Sequence, residues 1–109
     1  MTNVKMWGLI DHLLLHGTKY YFVENPRGRM RHMPFVEGRK RYGITYCSYG
    51  RPSMKPTDIW TNHKEPGFLP FCKGGHKHAD WSSEVKRDYL SRGEMPIDLC
   101  NHIASVAAL

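Results

Sequence analysis

Residues 20–28 of the chain read YYFVENPRG, a run of aromatic and β-branched residues that stops at a carboxylate, an amide and a proline. Buried strands of parallel sheets have this composition, and polar side chains gather at their carboxyl ends. Pro26 has no backbone N–H to donate to a neighbouring strand. The pattern therefore predicts a buried parallel strand, with Glu24 and Asn25 at the rim of the sheet.

The flanking sequence predicts the other elements of an α/β fold. Residues 3–16 have the spacing of an amphipathic helix, and Gly17 suits the position just past its end. Residues 44–49 and 57–61 indicate two more strands, and Pro96 is well placed to begin a final helix. The expected inner face of the first helix is Met6, Trp7, Leu9, Ile10, Leu13 and Leu14. The expected inner positions of the final helix are Ile97, Cys100, Ile103, Ala104 and Ala107.

The length and composition favour one cytoplasmic domain spanning residues 1–109. Residues 62–82 are rich in chain-breaking Pro and Gly, which predicts an irregular loop, and residues 83–91 are expected to form one or two helical turns. No apolar run approaches the roughly 20 residues of a membrane span, and the N-terminus lacks a signal-peptide pattern. The three cysteines, an odd number, argue against a disulfide framework and favour a reducing compartment.

A basic segment follows the first predicted strand. The net charge is +6, and Glu37 is the only acid between residues 27 and 41. Each Arg or Lys that neutralises a phosphate releases a counterion, so such a segment favours DNA binding. The alternative is a solvated basic loop. The candidate nucleic-acid-binding residues are Arg27, Arg29, Arg31, Arg39, Lys40 and Arg41.

A second motif, CKGGHKH at residues 72–78, places a thiol and two imidazoles in a short loop. The loop has almost no apolar residues after Phe71, so a metal ion could supply the order that packing does not. The spacing matches no standard zinc knuckle, and the alternative is that the cysteines are small buried hydrophobes beside exposed histidines. The candidate ligands of a tetrahedral zinc site are Cys47, Cys72, His76 and His78.

Taken in order, the motifs resemble those of DNA (cytosine-5) methyltransferases, in particular phage-encoded members. ENPRG at residues 24–28 is similar to the Glu-Asn-Val or Glu-Asn-Pro strand end of that family. YGITYCSYG at residues 42–50 and RPSMKPTDIWTN at residues 51–62 follow in the family's order, and the latter is similar to the phage proteins. RGEMP at residues 92–96 stands where the family has Gly-Asn-x-Val-Pro, but the Asn is absent.

The resemblance implies a chemistry for these residues. In the family, a cysteine thiolate adds to C6 of a flipped cytosine, a glutamate binds N3, and a methyl group passes from S-adenosylmethionine to C5. Glu24 matches the glutamate, and Asn25 would shape the loop below it. Arg51 or Lys55 would orient the flipped nucleotide and its phosphate.

Two parts of the family's machinery do not occur in these 109 residues. The chain contains no Pro-Cys pair, which carries the nucleophile, and no glycine loop for the cofactor. Met95 and Pro96 match the last cofactor motif only in part. The resemblance therefore implies the C-terminal half of a methyltransferase-like fold, with a partial Rossmann-like sheet of about three strands. Such a chain is expected to be inactive alone and to need a separate N-terminal half. One alternative is a small stand-alone nucleic-acid-binding accessory protein of phage type, with or without zinc. Another is a structural remnant with no activity.

Overall fold

The computed structural model describes residues 3–78 and 95–108. The helices are α1 (Asn3–Leu15) and α2 (Ile97–Ala107). The strands are β1 (Phe22–Pro26), β2 (Arg41–Thr45) and β3 (Pro56–Thr61). Short 3₁₀ turns lie at Arg29–His32, Pro34–Val36 and Tyr46–Tyr49. The mixed α/β class, the three strands and both predicted helices are therefore confirmed.

The three strands form one antiparallel sheet in the order β1-β3-β2. The central strand β3 places Ile59 opposite Glu24 on one side and Tyr42 on the other. Consequently β1 and β2 run in the same direction without pairing with each other. The predicted buried parallel strand is wrong, because β1 is a half-buried edge strand among the described residues. No feature of this sheet confirms a Rossmann-like fold.

The expectation that Pro26 stops the strand and leaves Glu24 and Asn25 at the rim of the sheet is wrong, because all three residues belong to β1. The backbone N–H of Arg27 donates to the carbonyl of Pro56 at 3.1 Å. Because successive residues of a strand present their N–H groups to opposite sides, Pro26 directs its missing N–H away from β3. An edge strand tolerates a proline at such a position, so β1 continues through Pro26.

Each face of the sheet carries its own core. The first core comprises Ile44, Tyr46, Tyr49, Ile59 and Leu99. The second core comprises Trp7, Met30, Val36 and Trp60. The rings of Trp7 and Trp60 meet edge to face with centroids 6.0 Å apart. Helix α1 therefore contacts the Trp60 face of the sheet, and α2 contacts the Ile59 face through Leu99.

The predicted inner face of α1 is only partly covered. Trp7 is buried, and Met6 and Ile10 pack against the second core. Leu9 and Leu13 lie one turn apart and remain 45% and 43% exposed. Within the described part of the chain, an apolar strip of α1 therefore faces solvent.

The predicted inner face of α2 is largely wrong. Leu99 and Val106 are the buried residues, and Ile103 packs partly against the first core. These three positions follow the three-to-four spacing of one helical face, while apolar residues elsewhere on the helix obscure that spacing in the sequence. The predicted inner residues that lie on the exposed side are Ile97, Cys100, Ala104 and Ala107.

The strand predicted at residues 44–49 is correct only for its first two residues. β2 ends at Thr45, and the following 3₁₀ turn ends at Gly50, whose φ of 90° is the left-handed conformation that favours glycine. Residues 62–78 contain no helix or strand, which agrees with the predicted loop. Residues 79–82 of that loop, and the helical turns predicted at 83–91, lie outside the described residues.

Candidate functional site

Glu24 of β1 is held by Tyr46, which directly follows β2, the strand at the opposite edge of the sheet. The hydroxyl of Tyr46 donates a hydrogen bond to Oε1 of Glu24 at 2.7 Å. Tyr46 is 1% exposed, whereas Glu24 is half-buried. Charge-assisted hydrogen bonds of this kind are short and strong, so the carboxylate has one preferred position. The sequence motif contained Tyr46, but its role as the partner of Glu24 was not predicted.

The environment of Tyr46 strongly favours its neutral form. Burial is the largest cause that raises the pKa of its hydroxyl, and the hydrogen bond and negative charge of Glu24 raise it further. A hydrogen bond from Thr57 and the positive charge of Arg51 act in the opposite direction. Tyr46 therefore remains a hydrogen-bond donor to Glu24 throughout the physiological pH range.

Arg51 and Lys55 lie beside the same tyrosine. The backbone N–H of Arg51 donates to the Tyr46 carbonyl at 3.2 Å, and the Lys55 ammonium lies 4.9 Å from the centre of the Tyr46 ring. Lys55 has a φ of 36°, an unusual value for a residue with a side chain. Strained backbone of this kind is concentrated at functional sites. The structure thus brings Glu24, Arg51 and Lys55 together around Tyr46.

Asn25, the fourth predicted catalytic residue, lies on the opposite face of the sheet. It pairs in register with Asp58, and its side-chain amide donates to the carbonyl of Pro26 at 3.3 Å. Because adjacent strand residues alternate between faces, Asn25 and Glu24 point away from each other. Asn25 therefore contacts the C-terminal end of β1 and does not lie with Glu24, Arg51 and Lys55 around Tyr46.

Three of the predicted nucleic-acid-binding arginines surround a buried aspartate. Asp58 of β3 has a side chain only 1% exposed, and Nε atoms of Arg31, Arg27 and Arg41 lie 3.3, 3.8 and 4.0 Å from its oxygens. The arginine side chains themselves remain 23 to 38% exposed. Asp58 was missed by the sequence reasoning, although an acid in the middle of a buried strand is itself a signal that cations lie nearby.

The other basic residues divide into paired and unpaired groups. Arg39 makes a two-pronged ion pair with Asp11 at 2.8 and 2.7 Å and lies over the Trp7 ring. These hydrogen bonds lower the pKa of Asp11. Among the described residues, Arg29 and Lys40 have no carboxylate partner.

An open cleft of about 510 Å³ lies on the Trp60 face of the sheet. Arg31, Arg39 and Arg41 line it together with His32 and Trp60. A cleft with three guanidinium groups in its wall suits an anionic ligand.

The four predicted metal ligands are close together. The ligand atoms of the set all lie within 4.8 Å of one another, and the set comprises Cys47, Cys72, His76 and His78. Sγ of Cys72 lies 3.2 Å from Nε2 of His76 and 3.6 Å from Nε2 of His78. These four residues could hold a metal ion such as zinc.

The two residues assigned to the cofactor motif lie where α2 begins. Pro96 is fully buried, and Met95 is partly buried against the first core. Nothing in the described residues supports binding of S-adenosylmethionine.

Comparisons with protein-family models, curated proteins and solved structures found no match. The helices among the described residues are too short or too polar to cross a membrane.

Proposed function

We propose that this chain supplies the base-binding half of a DNA (cytosine-5) methyltransferase-like protein, in which Glu24 binds N3 of a flipped cytosine. The observation that carries the proposal is the setting of Glu24, which is half-buried and fixed by Tyr46, the same tyrosine that Arg51 and Lys55 adjoin. The order of the sequence motifs from residue 24 to residue 62 gives independent support.

The Glu24 cluster suits a flipped base on physical grounds. A carboxylate can accept several hydrogen bonds, so the bond from Tyr46 to Oε1 leaves capacity for a donor on a base. The neutral Tyr46 holds the carboxylate without neutralising it. The nearby cationic groups of Arg51 and Lys55 suit the phosphate of an extruded nucleotide, whose unstacking costs about a few kcal/mol.

The shape of the sheet is compatible with a larger fold. β1 and β2 run in the same direction on either side of the reversed strand β3, and mixed sheets are common among large α/β sheets. Among the described residues, β1 pairs only with β3, and Leu9 and Leu13 of α1 stay exposed nearby in the chain. In our proposal, the rest of a Rossmann-like sheet would pair with the outer edge of β1 before Pro26, whose missing N–H faces that edge.

A second candidate function is nucleic-acid binding by this chain alone, as an accessory protein of phage type. The cleft lined by Arg31, Arg39 and Arg41 favours it. This function needs neither a nucleophile nor a cofactor.

The decisive experiment replaces Glu24 with Gln and mixes the chain with an N-terminal half that carries a Pro-Cys loop and a glycine loop. Because the neutral amide lacks the negative charge that stabilises a cytosine protonated at N3, we expect methyl transfer to fall by at least about 100-fold. The affinity for DNA should change by less than about threefold, since the phosphate contacts remain. Incorporation of labelled methyl groups and a DNA-binding titration measure the two effects.

Glu65→Gln is the matched control, because Glu65 is an exposed glutamate in the loop after β3. It should leave both quantities unchanged. Equal losses of turnover and DNA affinity in the Glu24 variant would contradict the proposed role. Methyl transfer by the wild-type chain without any added half would contradict the assignment of the nucleophile to residues outside this sequence.

A further inference from the structure

We propose that Cys47, Cys72, His76 and His78 bind one structural zinc ion. The four side chains come from two segments that are far apart in the sequence. Cys47 lies in the 3₁₀ turn after β2, and the other three residues lie in the loop that follows β3. The ion would therefore join two parts of the chain.

Two distances within the set match a tetrahedral zinc site, and all four ligand atoms lie within 4.8 Å of one another. Zinc binds thiolate sulfur at about 2.3 Å and imidazole nitrogen at about 2.0–2.1 Å, which places sulfur and nitrogen about 3.5 Å apart in a regular tetrahedron. The two distances from the Cys72 sulfur to histidine nitrogens are 3.2 and 3.6 Å. Both imidazoles thus direct the same nitrogen, Nε2, towards one thiol.

The backbone of residues 72–78 brings the histidines close to Cys72. Gly74 and Gly75 have φ values of 92° and 91°, a left-handed pair that turns the chain back so that His76 reaches Cys72. From residue 72 to residue 78 the loop contains no apolar side chain apart from the Cys72 thiol. Hydrophobic packing therefore does not explain why the two imidazoles converge on that thiol.

Hydrogen bonds around Cys72 support a bound thiolate. The N–H of Gly74 donates to Sγ of Cys72 at 3.3 Å, and the N–H of Cys72 donates to Oγ1 of Thr45 at 3.0 Å. The Ser48 hydroxyl, 3.2 Å from that of Thr45, donates to the Pro70 carbonyl. Groups of this kind orient metal ligands and tune their basicity.

The ligand set selects the metal and its role. Two thiolates and two neutral imidazoles neutralise a divalent ion and favour zinc over the oxygen-binding magnesium and calcium ions. Four protein ligands complete the coordination of zinc, so the site is structural and has no open position for a substrate.

The position of Cys47 links this site to Glu24. Cys47 directly follows Tyr46, whose hydroxyl holds the Glu24 carboxylate. Zinc would thus fix the turn that positions Glu24. This consequence rests on the proposed function, whereas the zinc site itself does not.

The test begins with elemental analysis of the full chain after gel filtration, where we expect about one zinc per chain. Cys72→Ser and His78→Asn should each reduce the zinc content to below about a tenth of that value. The matched controls are Cys100→Ser and His16→Asn, which alter an exposed cysteine and an exposed histidine outside the site. Both controls should retain stoichiometric zinc.

A second measurement uses the wild-type chain, because a ligand variant can fail to fold. Cobalt exchanged for zinc should show a thiolate-to-cobalt charge-transfer band and the visible bands of tetrahedral coordination. In the zinc-loaded chain, Cys47 and Cys72 should react with iodoacetamide at least about tenfold more slowly than Cys100, and a chelator should abolish the difference.

Folded protein that lacks zinc and whose three cysteines react equally fast would overturn the metal site. Stoichiometric zinc in the Cys72 variant would overturn the ligand assignment. Neither result depends on methyl transfer, so failure of the zinc site and failure of the proposed function are distinguishable.

Discussion

Tyr46 connects the carboxylate, the basic turn and the core of this molecule. Its ring is buried in the first core, its hydroxyl binds Glu24, and Lys55 lies over its ring. The Tyr46 side chain therefore both packs in the core and positions the Glu24 carboxylate. A base-binding role for Glu24 requires a carboxylate held in one orientation, and the hydrogen bond from Tyr46 holds it so.

Tyr46→Phe should keep the packing and remove the hydrogen bond to Glu24. We expect the free energy of unfolding to fall by about 1–2 kcal/mol, because the lost bond is to a charged acceptor that remains partly solvated. Urea denaturation measures this change. Tyr49→Phe is the control: the Tyr49 hydroxyl accepts the Leu69 N–H, so its loss does not touch Glu24. In the reconstituted complex, only the Tyr46 variant should lower turnover.

The same substitution should change the dependence of stability on alkaline pH. The pKa of Tyr46 is raised in the folded protein, so its contribution is fully present below the usual tyrosine pKa of about 10 and is lost as the pH rises above it. Phenylalanine does not ionise. The variant should therefore lose less stability than the wild type between about pH 10 and pH 11. Equal losses would contradict the burial of the hydroxyl beside Glu24.

At the scale of the elements, β3 is stabilised by charge as well as by packing. Its Asp58 carboxylate is buried beneath Arg27, Arg31 and Arg41, which come from the segment after β1 and from β2. A buried carboxylate is costly unless cations compensate it. Through Asp58, the three arginines therefore hold the segment after β1 and the start of β2 against the central strand β3.

Asp58→Asn should destabilise the fold by about 2–3 kcal/mol, because it removes the anion that three converging cations share. The measurement is again urea denaturation. Arg41→Gln is the control, since Arg41 makes the longest contact at 4.0 Å and two arginines would remain. Its effect should stay below about 1 kcal/mol. A more stable Asp58 variant would show that desolvation of the carboxylate outweighs its attraction to the arginines.

The elements differ in how far the sequence could predict them. α1, β3 and the Cys/His set were predicted correctly, because helical spacing, β-branched composition and ligand chemistry are local signals. The antiparallel order, the 3₁₀ turn at Tyr46–Tyr49 and the inner face of α2 were not. Each depends on which strand or core an element meets, and Ile97 and Cys100 are as apolar as the buried Leu99 beside them. The cluster around Asp58 could not be predicted either, because its prediction requires the pairing register of the three strands.

At the scale of the whole molecule, the net charge of +6 is less available than the sequence indicates. Asp58 and Asp11 each compensate part of the basic segment, through Arg27, Arg31 and Arg41 in one case and through Arg39 in the other. The positive charge that remains in excess surrounds the cleft and the Arg29–His32 turn. A DNA backbone would therefore be bound by fewer contacts than six basic side chains could make.

This partial compensation sets the salt dependence of DNA binding by the isolated chain. The logarithm of the affinity should fall with the logarithm of salt concentration with a slope of about −3.6, since roughly four uncompensated charges are available. Arg29→Gln and Lys40→Gln should each reduce that slope by about 1, because neither residue has a carboxylate partner in the described part of the chain. Arg39→Gln is the comparison: Arg39 lines the cleft, but Asp11 already engages it, so the main effect should be on stability. Fluorescence anisotropy with a labelled duplex at several salt concentrations makes the comparison.

Two outcomes would contradict this account of the basic segment. A flat salt response would remove the basic segment from the DNA interface. An equal reduction in slope for all three variants would show that the ion pair between Asp11 and Arg39 opens when DNA binds.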